Sequence, residues 1–419
     1  MLTSLRLINF KNFGDETLHM GPLTVIVGAN ASGKSNLRDA FRFLHGIGRG
    51  YTVSEIIGGK YGSGGQQEWA PIRGAADEIV RFGQRSFTLQ VRAPSIDYLI
   101  EVARSKKPGG MFRVTKEILR RGPRTGTTYT SHPGYGDPVQ GQDDETHLLL
   151  RMEKTGSQRK YGDRIAVRPD QPALTQIHEH RRVVKAHKEH VQKTIDLLVN
   201  MRFLDLEPNR MREAAFPGQT RLGDGGENLP TVLRSICADP QRRKALAEWT
   251  RELTPMDVRD FDFPVDRTTG RVQLVFKEAN DRRVSAYAAS DGTLRFIAML
   301  AGLIGTETER LYVFEEIDNG IHPSRMRLLL DLIEGQTEKE KIQVVTTTHS
   351  PDLLALVRDN AFENTSVVCR LEQTDDAVIR RVNDLPNAGK IRRTQGLGRL
   401  HASGWMEDAI AFSYPEHTD

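Results

Sequence analysis

The sequence lacks the features that mark secreted, disulfide-stabilised and membrane-spanning proteins. Only two cysteines, Cys237 and Cys369, occur among 419 residues, far apart and in no metal-binding spacing. This excludes a disulfide framework and favours a reducing cytoplasm. No run approaches the roughly 18 to 20 apolar residues of a membrane span, and the first residues, MLTSLRLINFKNF, carry charges too early for a secretory leader. We therefore expect a cytoplasmic protein with no membrane contact.

Two further absences narrow the possible functions. The chain has no heptad run long enough for an extended coiled coil, which argues against tethering DNA over long distances. It also has no N-K-x-D motif of the kind that GTPases use for guanine. With 38% hydrophobic and 27% charged residues the composition suits a globular protein, and a net charge of +4 permits contact with nucleic acid without requiring it.

The residue patterns predict an α/β protein in three segments. Residues 1–170 alternate short apolar runs with turns, as in SFTLQVRA and DYLIEVARS, which predicts an antiparallel β region. Residues 171–264 change to helical periodicity, with apolar side chains from Val184 to Leu198 spaced to share one helix face. Residues 265–419 begin with a hairpin pattern, GRVQLVFKEANDRRVSAYA, and continue in the strand and helix alternation of a parallel sheet.

The strongest motif lies near the start, in LTVIVGANASGKSNLRDAFRFL. Gly28 to Ser35 fits G-x-x-x-x-G-K-[ST], and the strand before it and amphipathic helix after it are the context that this motif requires. In such a loop the backbone amides bind phosphate, Lys34 reaches the β and γ phosphates, and Ser35 can ligate Mg²⁺. The motif therefore predicts a site for a nucleoside triphosphate.

A second anion site is predicted in AYAASDGTLRFIAMLAGL. Ser290 is placed to cap a helix, and Asp291, Gly292 and Thr293 form its first turn. A helix start with small and hydroxyl-bearing residues leaves backbone amides open to an anion. Because the P-loop already covers one face of a triphosphate, we expect this helix start to meet another.

Two adjacent carboxylates end an apolar strand in LYVFEEIDNGIHP. Burying Glu315 or Glu316 without a cation or hydrogen bonds would be costly, and ligands of α/β sheets bind at the carboxyl ends of strands. We predict that Glu315 holds Mg²⁺ through water. Glu316 is expected to orient or deprotonate the water that attacks the γ phosphate.

One more strand is predicted in KIQVVTTTHSPDLLALV, from Ile342 to Thr347. His349 follows its end, and Ser350 with Pro351 starts a helix. A histidine there can donate a hydrogen bond to the γ phosphate and so report whether it is present.

The order of these four parts resembles the ABC-type ATPase heads of the SMC, RecF and OLD families, over nearly the whole chain. LRLINFKNF, with Phe10 and Phe13, resembles their amino-terminal strand and turn. SDGTLR stands at their signature loop, VFEEIDNGIHP at Walker B and the D-loop, and TTTHSPDLL at the switch histidine. Glu315 replaces the usual aspartate, and its longer side chain favours slow turnover. APIRGAADEIVRFG further resembles small stand-alone ATPases of bacterial anti-phage systems.

The resemblance implies a P-loop ABC-type head with a mixed sheet and an inserted helical subdomain, which binds ATP and Mg²⁺ as a head-to-tail homodimer. In one copy the implied nucleotide contacts are Gly28, Asn30, Gly33, Lys34, Ser35 and Asn36. In the second copy they are Ser290, Asp291, Gly292 and Asp318. The Mg²⁺-contacting glutamine of a Q-loop falls at Gln171 or Gln176, and the sequence does not choose between them.

Two functions remain compatible with the sequence. One is the sensor ATPase of a bacterial anti-phage system that controls a separately encoded effector, a Toprim-like or other nuclease, since no clustered acidic strands of a Toprim domain follow His349. The alternative is a RecF-like DNA-repair or DNA-clamp ATPase that binds DNA directly.

Four further features favour ordinary structural roles. HEHRRVVKAHKEH, residues 178–190, is interpreted as a solvated basic helix face, with nucleic acid contact as the alternative. IGGKYGSGGQQ, residues 57–67, is interpreted as a mobile connection. Asp260 and Asp262 are expected in a loop and at a strand edge, and residues 375–376 on the solvated surface.

Overall fold

The computed structural model describes residues 1–105, 111–122, 126–131, 147–153, 164–305, 311–339, 341–371 and 376–412. The strands in these ranges are, in chain order, β1 Ser4–Phe10, β2 Phe13–His19, β3 Leu23–Val27, β4 Lys60–Tyr61, β5 Gln67–Trp69, β6 Ser86–Ala93, β7 Ile96–Arg104, β8 Phe112–Arg120, β9 Thr127–Ser131, β10 Leu148–Met152, β11 Arg164–Val167, β12 Met201–Leu204, β13 Val258–Asp262, β14 Val275–Glu278, β15 Arg283–Ser285, β16 Leu311–Phe314, β17 Gln343–Thr348, β18 Thr365–Arg370 and β19 Ala377–Arg381.

The α-helices in the described ranges are α1 Lys34–Gly48, α2 Val53–Gly58, α3 Ala173–Gln176, α4 Lys185–Val199, α5 Pro208–Met211, α6 Leu229–Ile236, α7 Pro240–Leu253, α8 Asp291–Ile304, α9 Met326–Lys339, α10 Pro351–Ala355, α11 Asp359–Phe362, α12 Ala388–Gln395, α13 Leu397–Ala402 and α14 Trp405–Ala411. None of these helices is long and apolar enough to cross a bilayer.

The chain forms two compact units, each assembled from separate stretches of sequence. Unit 1 contains residues 1–21, 28–201 and 366–380, and unit 2 contains residues 22–27, 202–365 and 381–419. Both units therefore combine early and late parts of the chain. The division predicted at residues 170 and 264 stays a prediction.

Unit 1 contains the predicted antiparallel region. Its strands lie in the order β11, β10, β9, β8, β7, β6, β1, β2, β19, β18. Neighbours from β11 to β2 run antiparallel, whereas β19 runs parallel to β2, so the sheet is mixed. Helix α1 packs through Phe43 onto Phe87 of β6, which in turn contacts Phe10 of β1, with ring centroids 5.2 Å apart in both pairs. These edge-to-face contacts fix the P-loop helix to the sheet.

Unit 2 contains the predicted parallel sheet. Strand β17 lies between β3 and β16 and runs parallel to both, with Val344 opposite Leu23 and Gln343 opposite Leu311. Every residue of these three strands is buried, which explains their mostly apolar and β-branched composition. Strand β17 begins and ends one residue later than the sequence predicts.

A second, small sheet of unit 2 contains the predicted hairpin. Strands β14 and β15 pair antiparallel, and β13 forms the edge beside β14. Asp260 on this edge accepts two hydrogen bonds from Arg243 of α7, at 2.6 and 2.7 Å. The expectation that Asp260 lies at a strand edge is confirmed.

Candidate nucleotide-binding site

The P-loop of unit 1 has the backbone geometry that its glycines require. It follows β3 directly and leads into α1, whose N-cap is Gly33 in the left-handed region at φ 115°. At Gly28 an added Cβ would lie 2.1 Å from the carbonyl oxygen of Val368. Only glycine therefore fits at Gly28, and any side chain would displace the loop.

The polar groups of the loop point to an anion. Lys34 Nζ donates to the carbonyl oxygens of Gly28 and Ala29 at 2.6 and 2.7 Å, so the ammonium group lies over the loop. Ser32 is buried, and its hydroxyl has no hydrogen-bond partner among the described residues. A buried hydroxyl without a partner is costly, and a phosphate in the loop would supply an acceptor. The cradle therefore fits a triphosphate.

Other side chains brace the P-loop helix. Asn36 Nδ2 donates to Asn12 Oδ1 at 2.7 Å. Asp39, 1% exposed, accepts from Lys11 Nζ at 2.5 Å and pairs with Arg73, which also donates to the carbonyl oxygen of Ser35 at 3.0 Å. Sequence reasoning missed this network because its members lie on three separate segments. One indication of it was present in the sequence, because Arg73 lies in APIRGAADEIVRFG, the stretch that resembles small stand-alone ATPases.

Three neighbouring strand ends of unit 2 lead into the predicted motifs. The carboxyl ends of β3, β17 and β16 lie side by side, with Thr348 opposite Val27 and Thr346 opposite Phe314. The P-loop follows the first end, His349 the second, and residues 315–316 the third. Parallel strands bind ligands at this edge.

Glu316 and His349 approach each other in unit 2. His349 Nδ1 lies 3.6 Å from Glu316 Oε1, and both side chains are partly exposed. Glu316 has a φ of 50°, in the left-handed region that few residues other than glycine adopt. Such strained positions concentrate at functional sites.

The predicted signature helix begins as the sequence indicates. Ser290 caps α8, and its Oγ accepts from the amide nitrogen of Thr293 at 3.2 Å. An added Cβ on Gly292 would lie 2.4 Å from the carbonyl oxygen of Gly320, so the helix start and the turn after β16 touch through backbone alone. A cleft of about 390 Å³ opens beside this contact, and its polar lining includes Ser290, Thr293, His322, Ser324 and Arg325.

Arg212 holds the start of the signature helix in place. Its Nη2 donates to the carbonyl oxygen of Ala289 at 3.0 Å and to Asp291 Oδ1 at 2.6 Å. Asp291 is therefore engaged within unit 2. No local pattern could have revealed Arg212, because 79 residues separate it from Asp291.

Asp318 is buried in the turn after β16, at 8% exposure. Its Oδ1 has no hydrogen-bond partner among the described residues. Since a buried carboxylate oxygen without a partner is costly, this oxygen is available to accept a hydrogen bond from a bound group.

The two candidate Q-loop residues differ in their bonding within unit 1. Gln171 donates from Nε2 to the carbonyl oxygen of Gly50 at 2.9 Å and to Thr175. Gln176 uses both ends of its amide: Nε2 donates to the carbonyl oxygens of Arg168 and Gln171, and Oε1 accepts from the amide of Arg168. The amide oxygen of Gln176 is therefore already engaged.

The interpretation of residues 178–190 as one solvated face is wrong. His187 and His190 of α4 are buried. His190 lies 2.7 Å from Thr128 Oγ1 and 2.9 Å from the carbonyl oxygen of Ser95, and burial lowers its pKa. Val184 was expected on the apolar face of this helix, but it precedes α4 and is 45% exposed.

Two further expectations need correction. Residues 57–67 include part of a small antiparallel hairpin of β4 and β5, not only a mobile connection. Asp376 is not simply solvated, because Arg81 donates to both of its carboxylate oxygens at 2.6 Å. Asp375 lies outside the described residues.

The P-loop, the parallel strand ends and the capped signature helix define an α/β protein with a P-loop ATPase domain. Comparison with known protein families identifies the family to which this domain belongs. Residues 23–231 and 239–355 match the family described as "AAA domain, putative AbiEii toxin, Type IV TA system". The chain belongs to this family, and the predicted ABC-type, SMC-like ATPase head is confirmed.

Two curated relatives match part of the chain. It is 33% identical over 127 residues to the chromosome partition protein Smc of Rhodopirellula baltica, which covers 29% of this chain and 10% of that protein. It is 28% identical over 122 residues to an ATP/GTP phosphatase of Helicobacter pylori, which covers 27% of this chain and 32% of that protein. The chain thus spans a tenth and a third of these relatives.

Among solved structures, an SMC head bound to the C-winged helix domain of ScpA aligns over 91% of this chain and 98% of its own, with 14% identity and a TM-score of 0.49. The SMC head domain from Thermotoga maritima aligns over the same shares, with 13% identity and a TM-score of 0.42.

Proposed function

We propose that the protein binds and slowly hydrolyses ATP as a two-state switch. The observation that carries the proposal is the order of strand ends in unit 2, where the P-loop, His349 and residues 315–316 follow three adjacent parallel strands. In a P-loop ATPase these three segments supply phosphate binding, phosphate sensing and water activation. The partial similarity to an ATP/GTP phosphatase supports the same reaction.

The P-loop, Glu316 and His349 each have a role in this reaction. The loop amides from Gly28 to Asn36 hold the phosphates, and Lys34 exchanges its bonds to loop carbonyls for bonds to the β and γ phosphates. Glu316 orients the attacking water, and His349, 3.6 Å from it, donates to the γ phosphate. The contact between the two side chains couples phosphate sensing to water activation.

The oxygen donors of the chain suit Mg²⁺. The ion neutralises charge on the phosphates when it is bound. Ser35 supplies a hydroxyl and Glu315 a carboxylate, and Mg²⁺ prefers a few such ligands together with water. Gln171 is the better Q-loop candidate, because its described bonds use only the amide nitrogen whereas those of Gln176 use both ends.

A second copy of the chain completes the site in this proposal. The cleft beside Gly292 and Gly320 is lined by Ser290, His322 and Arg325, and it suits an anionic ligand. We assign to this cleft the γ phosphate of ATP held by the partner copy's P-loop. The buried, unpartnered oxygen of Asp318 would find its contact in the same dimer. ATP thus favours the closed dimer, and hydrolysis releases it.

The biological role proposed is the sensor ATPase of a bacterial anti-phage system with a separate effector, such as a Toprim-like nuclease. The family description names a toxin of a type IV toxin–antitoxin system, which links the family to a toxic activity; we assign to this chain the part that controls such an activity. A phage challenge of cells that carry the wild-type protein or Lys34→Ala, each with and without the gene for a candidate effector, tests it. Protection that persists in the Lys34→Ala strain would contradict the role.

The partial similarity to Smc favours a second candidate, an ATPase that binds DNA directly. Duplex DNA would then stimulate ATP hydrolysis, and the stimulation would fall steeply with salt, because released counterions gain less entropy in a more concentrated salt solution. Hydrolysis that is insensitive to DNA at low salt excludes this candidate.

The enzymatic proposal is tested by comparing Lys34→Ala with Lys244→Ala, a control that removes an exposed lysine from α7. A charge-assisted hydrogen bond contributes about 1.5 to 3 kcal/mol, so ATP affinity should fall about 10- to 100-fold in Lys34→Ala and stay unchanged in Lys244→Ala. Equal affinities in the two variants, or no phosphate release by the wild-type protein, would refute the proposal.

A further inference from the structure

Glu316 has a backbone conformation that needs external support. Its φ of 50° lies in the left-handed region, where a residue with a side chain is strained and persists only when its surroundings hold it. The next turn is held locally, since Asn319 donates from its amide to the carbonyl oxygen of Glu316 at 2.9 Å. That bond uses the carbonyl oxygen of Glu316. The amides of Glu316 and Ile317 are bound by a different element.

One residue of β17 holds both amides. The amide of Glu316 donates to Thr347 Oγ1 at 3.0 Å. The amide of Ile317 donates to the carbonyl oxygen of Thr347 at 3.4 Å. Thr347 itself is 6% exposed and is anchored in the sheet opposite Ile26 of β3. A rigid central strand therefore supports the strained turn through one hydroxyl and one carbonyl group.

The Thr347 hydroxyl provides a hydrogen bond at the point where the backbone pairing of β16 with β17 ends. Strands β16 and β17 pair in parallel register up to Phe314 and Thr346. Beyond that pair the chain after β16 turns away, and the side chain of Thr347 takes over as acceptor for Glu316. Valine, which has the same shape and equal strand propensity, could not make this bond.

Thr347 also adjoins the histidine that contacts Glu316. His349 is two residues further along, and its Nδ1 lies 3.6 Å from Glu316 Oε1. Thr348 Oγ1 accepts from the amide of Ser350 at 3.0 Å, which fixes the turn that carries His349. The end of β17 thus places both side chains of the proposed water-activating pair.

We propose that Thr347 is a positioning residue for ATP hydrolysis: its hydroxyl fixes the left-handed turn that aims the Glu316 carboxylate. This inference rests on the proposed role of Glu316 in activating water. It predicts a split effect, because the hydroxyl that the substitution removes bonds to the amide of Glu316 and, among the described residues, not to the P-loop. Turnover should fall while ATP affinity stays constant.

The test compares Thr347→Val with Thr347→Ser. The valine variant lacks the acceptor, and its kcat should fall about 10- to 100-fold, since misplacing a reacting group by about 1 Å has an effect of that order. The serine variant keeps the hydroxyl and should retain most of the turnover. Thr365→Val is the matched control, because Thr365 is fully buried and its hydroxyl donates to the carbonyl oxygen of Ala361 at 2.8 Å.

A second measurement follows the turn itself. Amide hydrogen exchange of a peptide containing Glu316 should speed up in Thr347→Val and match the wild type in Thr347→Ser. If the valine variant does not fold, Thr347→Ala and Thr347→Ser give the same comparison, because alanine also lacks the hydroxyl.

The outcomes separate this inference from the proposed function. A wild-type protein that releases no phosphate overturns both. Measurable wild-type turnover with a Thr347→Val kcat equal to that of Thr365→Val overturns only the role of Thr347. A serine variant as slow as the valine variant also overturns it, because the hydroxyl would then not be the group that matters.

Discussion

The contact between Gly292 and Gly320 offers the sharpest structural prediction. Replacing Gly292 by alanine places a Cβ 2.4 Å from the carbonyl oxygen of Gly320 and 3.1 Å from its Cα. Ordinary contact begins near 3.4 Å, so the signature helix and the turn after β16 must separate by about 1 Å. Both obstacles are backbone atoms, so no side-chain rotation relieves the clash. Overpacking of this kind costs about 1 to 3 kcal/mol of folding free energy.

Gly292→Ala should lower turnover as well as stability. A shift of about 1 Å at a catalytic element lowers turnover by about 100-fold, whereas ATP binding by the P-loop should be unaffected. Gly335→Ala is the control, because Gly335 lies within α9 and its added Cβ meets no atom within 4 Å. That control should stabilise the fold by about 0.5 to 1 kcal/mol. Denaturant unfolding and steady-state phosphate release measure both quantities, and identical results for the two alanine variants would refute the reasoning.

Three further predictions concern buried groups. Burial lowers the pKa of His190 in the folded protein. The stability that neutral His190 contributes is therefore complete above the unfolded pKa of about 6.5 and is lost as pH falls through the lower folded pKa. The urea midpoint should decline between pH 8 and pH 5 in the wild type, and this decline should be smaller in His190→Gln. Glu117 accepts four hydrogen bonds, from two tyrosine hydroxyls and the amides of Ala173 and Leu174. Glu117→Gln should therefore destabilise the protein by about 1 to 3 kcal/mol, and an unchanged denaturation midpoint would contradict this. Burial raises the pKa of Cys237 to about 12, so a thiol reagent at pH 8 should modify it only after unfolding, and rapid labelling of the native protein would contradict its burial.

The local motifs could be predicted because their physics is local. The P-loop, the cap at Ser290 and the apolar strand before Glu315 each depend on residues within a short window, and the structure contains all three. The sequence predicts the acidic pair and His349 at the carboxyl ends of strands, where α/β sheets bind ligands. The approach of His349 Nδ1 to Glu316 Oε1, at 3.6 Å within unit 2, was not predicted.

Long-range partners could not be predicted in the same way. Arg212 reaches Asp291 from 79 residues away, and Arg81 reaches Asp376 from 295 residues away. The sequence shows that both residues are arginines, but not which carboxylate each of them binds. The burial of His190 was missed for the opposite reason: its lysine and arginine neighbours suggested a solvated face, but tertiary contacts from Thr128 and Ser95 turn the imidazole inward.

The oligomeric state of Glu316→Gln with and without ATP tests the central claim most directly. This variant should bind ATP without hydrolysing it, because the amide cannot act as a base. Light scattering coupled to size exclusion should then show a dimer at saturating ATP and a smaller species without it, and no ATP-dependent change when Lys34→Ala is added. A monomer at saturating ATP would contradict the account.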